Sequence, residues 1–200
     1  FTKVFLNGGE SGVSFLLALF SIGIAVGSLL CDKLSNHRIE IGIVPLGSLG
    51  ITIFGALMAL SVPEKLPLLT SFTDFIRYQA LWPIFIYLLL LGISGGIFIV
   101  PLYSLLQSRA EEKERSQVIA ANNIFNALFM VCSAILAIIC LSVLELTIPQ
   151  LFVLLAILNF IVAGYLFIQV PIFVVRFVLW VLTHTLYRVK HINLHHLPHT

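Results

Sequence analysis

The run WPIFIYLLLLGISGGIFIVP, residues 82–101, decides the fold class of this 200-residue chain. It lies within 31 consecutive residues, between Arg77 and Arg109, that carry no charged side chain. A helix needs about 20 apolar residues to cross the hydrocarbon core of a bilayer, at a rise of about 1.5 Å per residue. Because lipid offers no hydrogen bonds to the backbone, such a run satisfies its own amides as an α-helix. The run therefore predicts a transmembrane helix at Trp82–Pro101.

Four further stretches are long enough to span, with 21, 23, 29 and 30 uncharged residues between their flanking charges. Together with the first run they predict five transmembrane helices, at Val13–Cys31, Ile41–Val62, Trp82–Pro101, Val118–Leu141 and Pro149–Val170. A sixth apolar stretch, Pro171–Leu186, is interrupted by Arg176 and His184 and is too short to span. We expect it to lie along the membrane interface. The predicted fold is an all-α membrane protein with about five transmembrane helices and an interfacial C-terminal segment.

The composition excludes an ordinary soluble domain. Hydrophobic residues make up 60% of the chain and charged residues only 10%, and the mean hydropathy is +1.09. Soluble domains carry about 25% charged residues, so the surface of this chain must face lipid or other helices. The three cysteines match no metal or disulfide spacing. The bilayer is the expected partner, and no cofactor, metal or nucleic acid is expected.

The distribution of Lys and Arg predicts the orientation. Three of these residues fall in one set of alternating loops, at Lys3, Lys65 and Arg77. Eight fall in the other set, at Lys33, Arg38, Arg109, Lys113, Arg115, Arg176, Arg188 and Lys190. The excess places the second set in the cytoplasm. The expected location is the inner membrane, with the N-terminus outside and the C-terminus inside.

Small residues recur at helical spacing in two predicted spans. Gly23 and Gly27 stand four residues apart in the first span, and Gly92 and Gly96 do so in the third. This spacing lets helix backbones approach closely in lipid, so we interpret all four as helix-packing residues.

Three amides open the fourth predicted span. Asn122 and Asn126 share one helix face, whereas Asn123 points about 100° away. Each amide needs a hydrogen-bond partner away from lipid, which leaves two interpretations: bonds between helices, or the lining of a polar cavity that accepts a headgroup. Asn159 is isolated in the last span and is interpreted as a packing residue. No Asp, Glu, Lys, Arg or His falls within the five predicted spans, so none of them offers a proton carrier.

The segment SLLCDKLSNHR, from Ser28 to Arg38, resembles the cytoplasmic loop of major facilitator superfamily transporters, Gly-x-Leu-x-Asp-Arg-x-Gly-Arg. Asp32 and Lys33 fall on its acid–base pair and Arg38 lies near its basic end. Ser28 and Ser35 stand where the pattern has glycines. The resemblance implies that Asp32, Lys33 and Arg38 belong to a gating loop.

Two longer stretches, PLYSLLQSR at 101–109 and VIAANNIFNALFM at 118–130, are similar to the lysophospholipid-transporter branch of that superfamily. Members of this branch are often fused to a glycerolipid acyltransferase. The resemblance covers roughly residues 1–190 and implies the last five of twelve helices, in a chain that begins partway through the protein. It implies movement of lysophospholipids across the bacterial inner membrane for re-acylation. The Asn122–Asn126 amides would then face or brace the central cavity.

The C-terminal residues YRVKHINLHHLP, 187–198, resemble the leader of the fused acyltransferase domain. That domain needs His-x4-Asp, in which the aspartate orients a histidine base. No aspartate follows Asp74, so the pair is absent and we expect no enzyme activity. The predicted domains are a partial transporter half at 1–170, and an interfacial segment with a truncated acyltransferase leader at 171–200.

The leading hypothesis is thus the C-terminal portion of a lysophospholipid transporter. Because alternating access needs two halves, the chain is expected to be inactive alone: it is either inert or pairs with a separately encoded N-terminal half. The alternative is a remnant or subunit of a bifunctional transporter–acyltransferase that acts in phospholipid re-acylation. A third possibility is a small membrane-interaction protein without a transport role.

Overall fold

The computed structural model describes residues 6, 9–34, 41–63, 72–111, 113–169 and 172–185, and the regular structure within them is entirely helical. The helices, numbered along the chain, are α1 (Glu10–Leu34), α2 (Val44–Leu60), α3 (Phe72–Arg77), α4 (Trp82–Arg109), α5 (Arg115–Ile138), α6 (Ile148–Gln169) and α7 (Ile172–Thr185). Short 3-10 turns at Ile41–Ile43 and Gln79–Leu81 lead into α2 and α4, and a π turn at Ile139–Val143 extends α5. The predicted all-α class is confirmed for the described residues.

Four helical stretches in the described part are long and apolar enough to cross a membrane: Glu10–Leu34, Gln79–Arg109, Arg115–Val143 and Ile148–Tyr165. Four of the five predicted spans therefore correspond to helices of full spanning length. The predicted second span, Ile41–Val62, contains a regular α-helix of only 17 residues, α2. At about 1.5 Å per residue α2 is about 26 Å long, against a hydrocarbon core of about 30 Å. The predicted span was too long because its first residues form the 3-10 turn Ile41–Ile43 and its last ones follow the helix end at Ser61.

The third predicted span was too short at its C-terminal end. Pro101 was expected to end the helix, but α4 continues through it to Arg109. Proline has no N–H to donate to the carbonyl four residues earlier, which usually breaks or kinks a helix. Membrane helices tolerate this loss where neighbouring groups compensate. Pro101 is buried, so it lies on the packed side of α4.

Close contacts fix the directions of the packed helices. Gly23 of α1 faces Gly92 of α4 and Gly27 faces Ile93, so α1 and α4 run parallel. α2 runs antiparallel to α4, because Gly47 lies against Phe98 whereas Gly55 lies near Leu91. α6 is antiparallel to α2, because Gly55 also lies near Ala156 and the Asn159 amide bonds to Thr52 nearer the start of α2. Helices α1 and α4 both end on one side of the bundle, which we call the basic end. The opposite side, where both helices begin, is the acidic end.

Most of the packing is between α1 and α4, between α2 and α4, and between α2 and α6. α4 is thus the central helix of the described bundle. A cluster of buried apolar side chains closes the acidic end, where α1 and α4 begin. In it Phe75 of α3 packs on Phe85, with ring centroids 5.5 Å apart, and Phe15 meets Phe85 edge to face at 5.3 Å.

The segment predicted to lie along the interface, Pro171–Leu186, contains α7, a helix of 14 residues. α7 packs against the 3-10 turn that leads into α2. A side chain at Gly42 would meet the backbone carbonyl carbon of Arg176 at 2.8 Å. α7 therefore belongs to the basic end of the bundle, and its position relative to the membrane surface stays a prediction.

Candidate functional site

The side chain of Tyr103 connects α4 to α5. Its Oη accepts a hydrogen bond from Asn122 Nδ2 at 3.1 Å and another from Asn126 Nδ2 at 2.9 Å. The two asparagines reach the same oxygen because residues four apart lie on one face of a helix. We call these three residues the Tyr103 cluster. Because both amides donate, the phenolic proton of Tyr103 stays available for a third group, and Tyr103 donates no hydrogen bond to another described residue.

Asn123 lies beside the cluster on the surface of α5. Its side chain is exposed and makes no hydrogen bond to any residue in the part of the chain that the structure describes. Asn123 follows the start of α5 by eight residues, or about 12 Å along the helix axis. On a helix that crosses a membrane, an amide at this depth would need a polar partner, since lipid tails provide none. The structure thus brings Asn122 and Asn126 together and leaves Asn123 facing outward.

The helix that carries these amides lies at the edge of the bundle. None of the 24 residues of α5 is buried, and Ile124 and Met130 are 70% and 71% exposed. The described residues of α5 touch the other helices mainly through α4. Lipid can cover the apolar side chains of such a helix, but it cannot satisfy the free amide of Asn123.

The predicted gating-loop residues fall at the end of α1. Asp32 and Lys33 are exposed residues in its last turns, whereas Arg38 lies outside the described residues. A positive charge is favourable at a helix C-terminus because the carbonyl groups there carry partial negative charge, so Lys33 suits its position. The C-terminal histidines from His191 onward and the acyltransferase-like segment 187–198 also lie outside the described residues.

The four glycines interpreted as packing residues lie at the contact between α1 and α4. A Cβ atom on Gly23 would stand 2.6 Å from the carbonyl oxygen of Leu89, and one on Gly92 the same distance from that of Phe20. Added carbons on Gly27 and Gly96 would likewise collide with the facing backbone. Van der Waals contact requires more than 3 Å, so only glycine permits this approach of the two helices.

A second amide site lies between α2 and α6. Asn159 Nδ2 donates to the Ser48 carbonyl at 3.1 Å and to Thr52 Oγ1 at 2.8 Å. Ser48 is only 1% exposed, so this contact is part of the packed interior. The geometry is that of a packing residue, as the isolated position of Asn159 predicts.

Sequence reasoning did not select Tyr103 as a site residue. The predicted end of the span at Pro101 placed Tyr103 in a loop, where its hydroxyl would meet water. The signal that could have found it is the pair of amides four residues apart, which lie on one helix face and can share an acceptor on a neighbouring helix.

The described residues define an all-helical chain with four helices apolar enough to cross a membrane, a composition compatible with an integral membrane protein. No protein-family model matches the chain, and no curated protein or solved structure is detectably similar to it.

Proposed function

We propose that this chain is the C-terminal portion of a facilitator-type transporter that moves lysophospholipids, or a similar amphipathic substrate, across the bacterial inner membrane. The observation that supports it most is that the Tyr103 cluster and the free amide of Asn123 occur together at an exposed, mostly apolar helix. The similarity of residues 101–109 and 118–130 to the lysophospholipid-transporter branch supports the choice of substrate class.

The chemistry of the cluster suits an amphipathic ligand. A lysophospholipid carries a phosphate and a free hydroxyl beside a single acyl chain. The Tyr103 hydroxyl and the Asn123 amide would donate hydrogen bonds to phosphate oxygens, and bonds to an ionised acceptor are roughly twice as strong as neutral ones. The exposed side chains of Ile124 and Met130 on the same helix would contact the acyl chain. Polar donors next to apolar surface are typical of small-molecule sites.

The charge distribution supports an orientation with the basic end in the cytoplasm. Described Lys and Arg residues at that end are Lys33, Arg109, Lys113, Arg115 and Arg176, whereas Arg77 is the one described at the acidic end. Positive charges accumulate on the cytoplasmic side of membrane proteins. We propose accordingly that the start of α1 lies outside and that α7 lies at the cytoplasmic surface.

Transport by this mechanism depends on a second half. Transporters of this type alternate access by rocking two repeats about a site between them. We propose that the second half contacts this chain at the exposed surface of α5, where Asn123 lies. We therefore propose that the chain is inactive alone and functions with a separately encoded N-terminal half. Coupling to protons would need a carboxylate or histidine from that half, since the predicted spans contain none.

The test is a flux measurement in proteoliposomes. Lysophosphatidylethanolamine with a fluorescent acyl chain is added to vesicles that contain the chain alone, the chain co-purified with an N-terminal half encoded beside it, or no protein. An impermeant quencher then reports the fraction of lipid that has crossed. We expect flux above empty vesicles only with both halves present.

Two variants locate the site in the same assay. Asn123→Ala should lower the flux, because it removes the free donor. Ser133→Ala is the matched control on the same helix, since the Ser133 hydroxyl bonds only to its own helix at the Met130 carbonyl. Flux from the chain alone would contradict its dependence on a partner. Absence of flux from a stable two-part complex would contradict transport, and equal loss in both variants would contradict the assigned site.

A further inference from the structure

A cavity of about 260 Å³ lies inside the helix bundle near its acidic end. All the residues that line it are apolar, and they come from α1, α2, α4 and α6. Engineered apolar cavities of about 150 Å³ stay free of water and bind small hydrocarbons. The cavity is partly open at the surface of the bundle, so a ligand can enter it from outside.

The residues that line the cavity extend along two of the helices. Its wall on α1 contains Val13, Leu16 and Phe20, at helical spacing on one face, and its wall on α4 runs from Ile84 to Leu91. The first and last residues of each wall are seven positions apart, or about 10 Å along the helix axis. We call this cavity the trough; walls that extend along two parallel helices suit a linear molecule that lies along them.

The glycine contact between α1 and α4 explains why the trough exists. Gly23 follows Phe20 by three residues, and Gly92 directly follows Leu91, so the trough begins where the backbone contact ends. Helices that cross at a close contact separate on either side of it. Met58 and Phe152 complete the lining from α2 and α6.

We propose that this trough binds one acyl chain of a bilayer phospholipid. Water would find no hydrogen-bond partner among the lining side chains, so it is a poor occupant. A helix that crosses a bilayer is surrounded by hydrocarbon, and the linear apolar groups in that hydrocarbon are the acyl chains of lipids. Transfer of a CH₂ group from water into an apolar site is favourable by about 0.8 kcal/mol. An acyl chain that enters from the bilayer is already out of water, so it gains only the closer packing against the protein. The inference rests on the membrane location proposed above and does not depend on transport.

The experiment uses the full chain in vesicles of phosphatidylethanolamine and phosphatidylglycerol. A trace of the phosphatidylethanolamine carries a photoactivatable diazirine in the middle of one acyl chain. After irradiation, mass spectrometry compares labelling of residues 13–20 with that of residues 124–131 on the exposed surface of α5. We expect labelling of the trough to exceed that of α5 by about fivefold, because an enclosed chain stays near its wall longer than a free lipid does.

Two substitutions at one position test whether occupancy causes the label. Leu88→Trp fills the trough and should lower labelling of residues 13–20 about fivefold, since an indole takes the volume of the bound chain. Leu88→Ala enlarges the trough and should keep or raise the label. Val131→Trp on α5 adds a bulky side chain outside the trough and should leave the labelling of residues 13–20 unchanged. Misfolding would lower the label in both Leu88 variants, which distinguishes it from a filled site.

Three results would overturn the proposal. The first is equal labelling of residues 13–20 and 124–131. The second is labelling of residues 13–20 that Leu88→Trp leaves unchanged. The third is labelling of the trough by diazirine-bearing lysophosphatidylethanolamine alone, because the occupant would then not be a bilayer phospholipid. None of these results bears on the flux measurement, so the two proposals can fail separately.

Discussion

The Nδ2 atom of Asn126 lies 2.9 Å from the hydroxyl oxygen of Tyr103, and this bond crosses from α5 to α4. The same oxygen accepts from Asn122 at 3.1 Å, so one side chain satisfies two amides. α5 has no buried residue of its own. The Tyr103 cluster is therefore the main polar attachment of α5 to the other described helices.

Removing the shared acceptor should loosen α5. Tyr103→Phe deletes the hydroxyl and leaves both amides without this partner. Hydrogen bonds between membrane helices contribute about 1 kcal/mol each, so we expect a loss of about 1–2 kcal/mol in the free energy of unfolding. The measurement is denaturation by SDS in mixed micelles. A double-mutant cycle with Asn126→Ala should give a coupling energy near 1 kcal/mol, and a coupling near zero would contradict the bond.

The contact between α1 and α4 should not tolerate a methyl group. Gly27→Ala places a Cβ atom against the Ile93 carbonyl, so the helices must separate. We expect a loss of about 2–3 kcal/mol in unfolding free energy, as for overpacked cores. Gly95→Ala on α4 is the matched control, because an added Cβ there meets nothing within 4 Å. The control should be neutral or gain up to about 1 kcal/mol from helix propensity. Equal losses in both variants would contradict the assigned contact.

The second residue after the π turn, Glu145, has an unfavourable backbone conformation. Glu145 has φ of 51°, and the Leu146 amide beyond it donates to the Cys140 carbonyl at 3.0 Å, which closes the helix end. Side chains cost about 1 kcal/mol in this left-handed region, and glycine does not. Glu145→Gly should therefore stabilise the protein by up to about 1 kcal/mol in SDS denaturation. Glu145→Ala removes the same charge and keeps the Cβ atom, so a similar gain from it would assign the effect to charge instead.

The Asn159 amide between α2 and α6 should affect the free energy of unfolding and leave the lysophospholipid flux unchanged. Asn159→Ala removes the bonds to Ser48 and Thr52, and we expect a loss of about 1–2 kcal/mol in unfolding free energy. Thr52→Val removes one acceptor and keeps the shape of the side chain. The two substitutions should be less than additive in SDS denaturation, since they remove one shared bond. Strict additivity would contradict the Asn159–Thr52 contact.

Cysteine labelling tests the orientation. In a chain with Cys31, Cys132 and Cys140 replaced by alanine, Lys113→Cys should react with a membrane-impermeant maleimide only in inside-out vesicles. Glu145→Cys, at the opposite end of α5, should react only in right-side-out vesicles. The reverse pattern would invert the proposed topology. Reaction of both sites from one side would show that α5 does not cross the membrane.

The apolar runs at Trp82–Pro101 and Val118–Leu141 predicted helices because an uncharged stretch of spanning length has few alternatives in lipid. Helix ends were harder to place, since α4 passes through Pro101 and α2 is shorter than its uncharged stretch. Ends depend on which neighbouring groups satisfy the last amides and carbonyls, and those neighbours are distant in sequence. The same error concealed Tyr103, which the predicted end at Pro101 placed outside the helix.

The sequence by itself determined the helical class, the shared face of Asn122 and Asn126, and the small residues available for packing. Hydrophobic run length and the helical repeat decide these properties within a single helix. Only the tertiary structure decided that Gly23 meets Gly92, that one Tyr103 oxygen serves two amides, and that an apolar trough remains between α1 and α4. These relations depend on the direction and crossing of helices far apart in the chain, and helix crossings are set by the fit of whole surfaces.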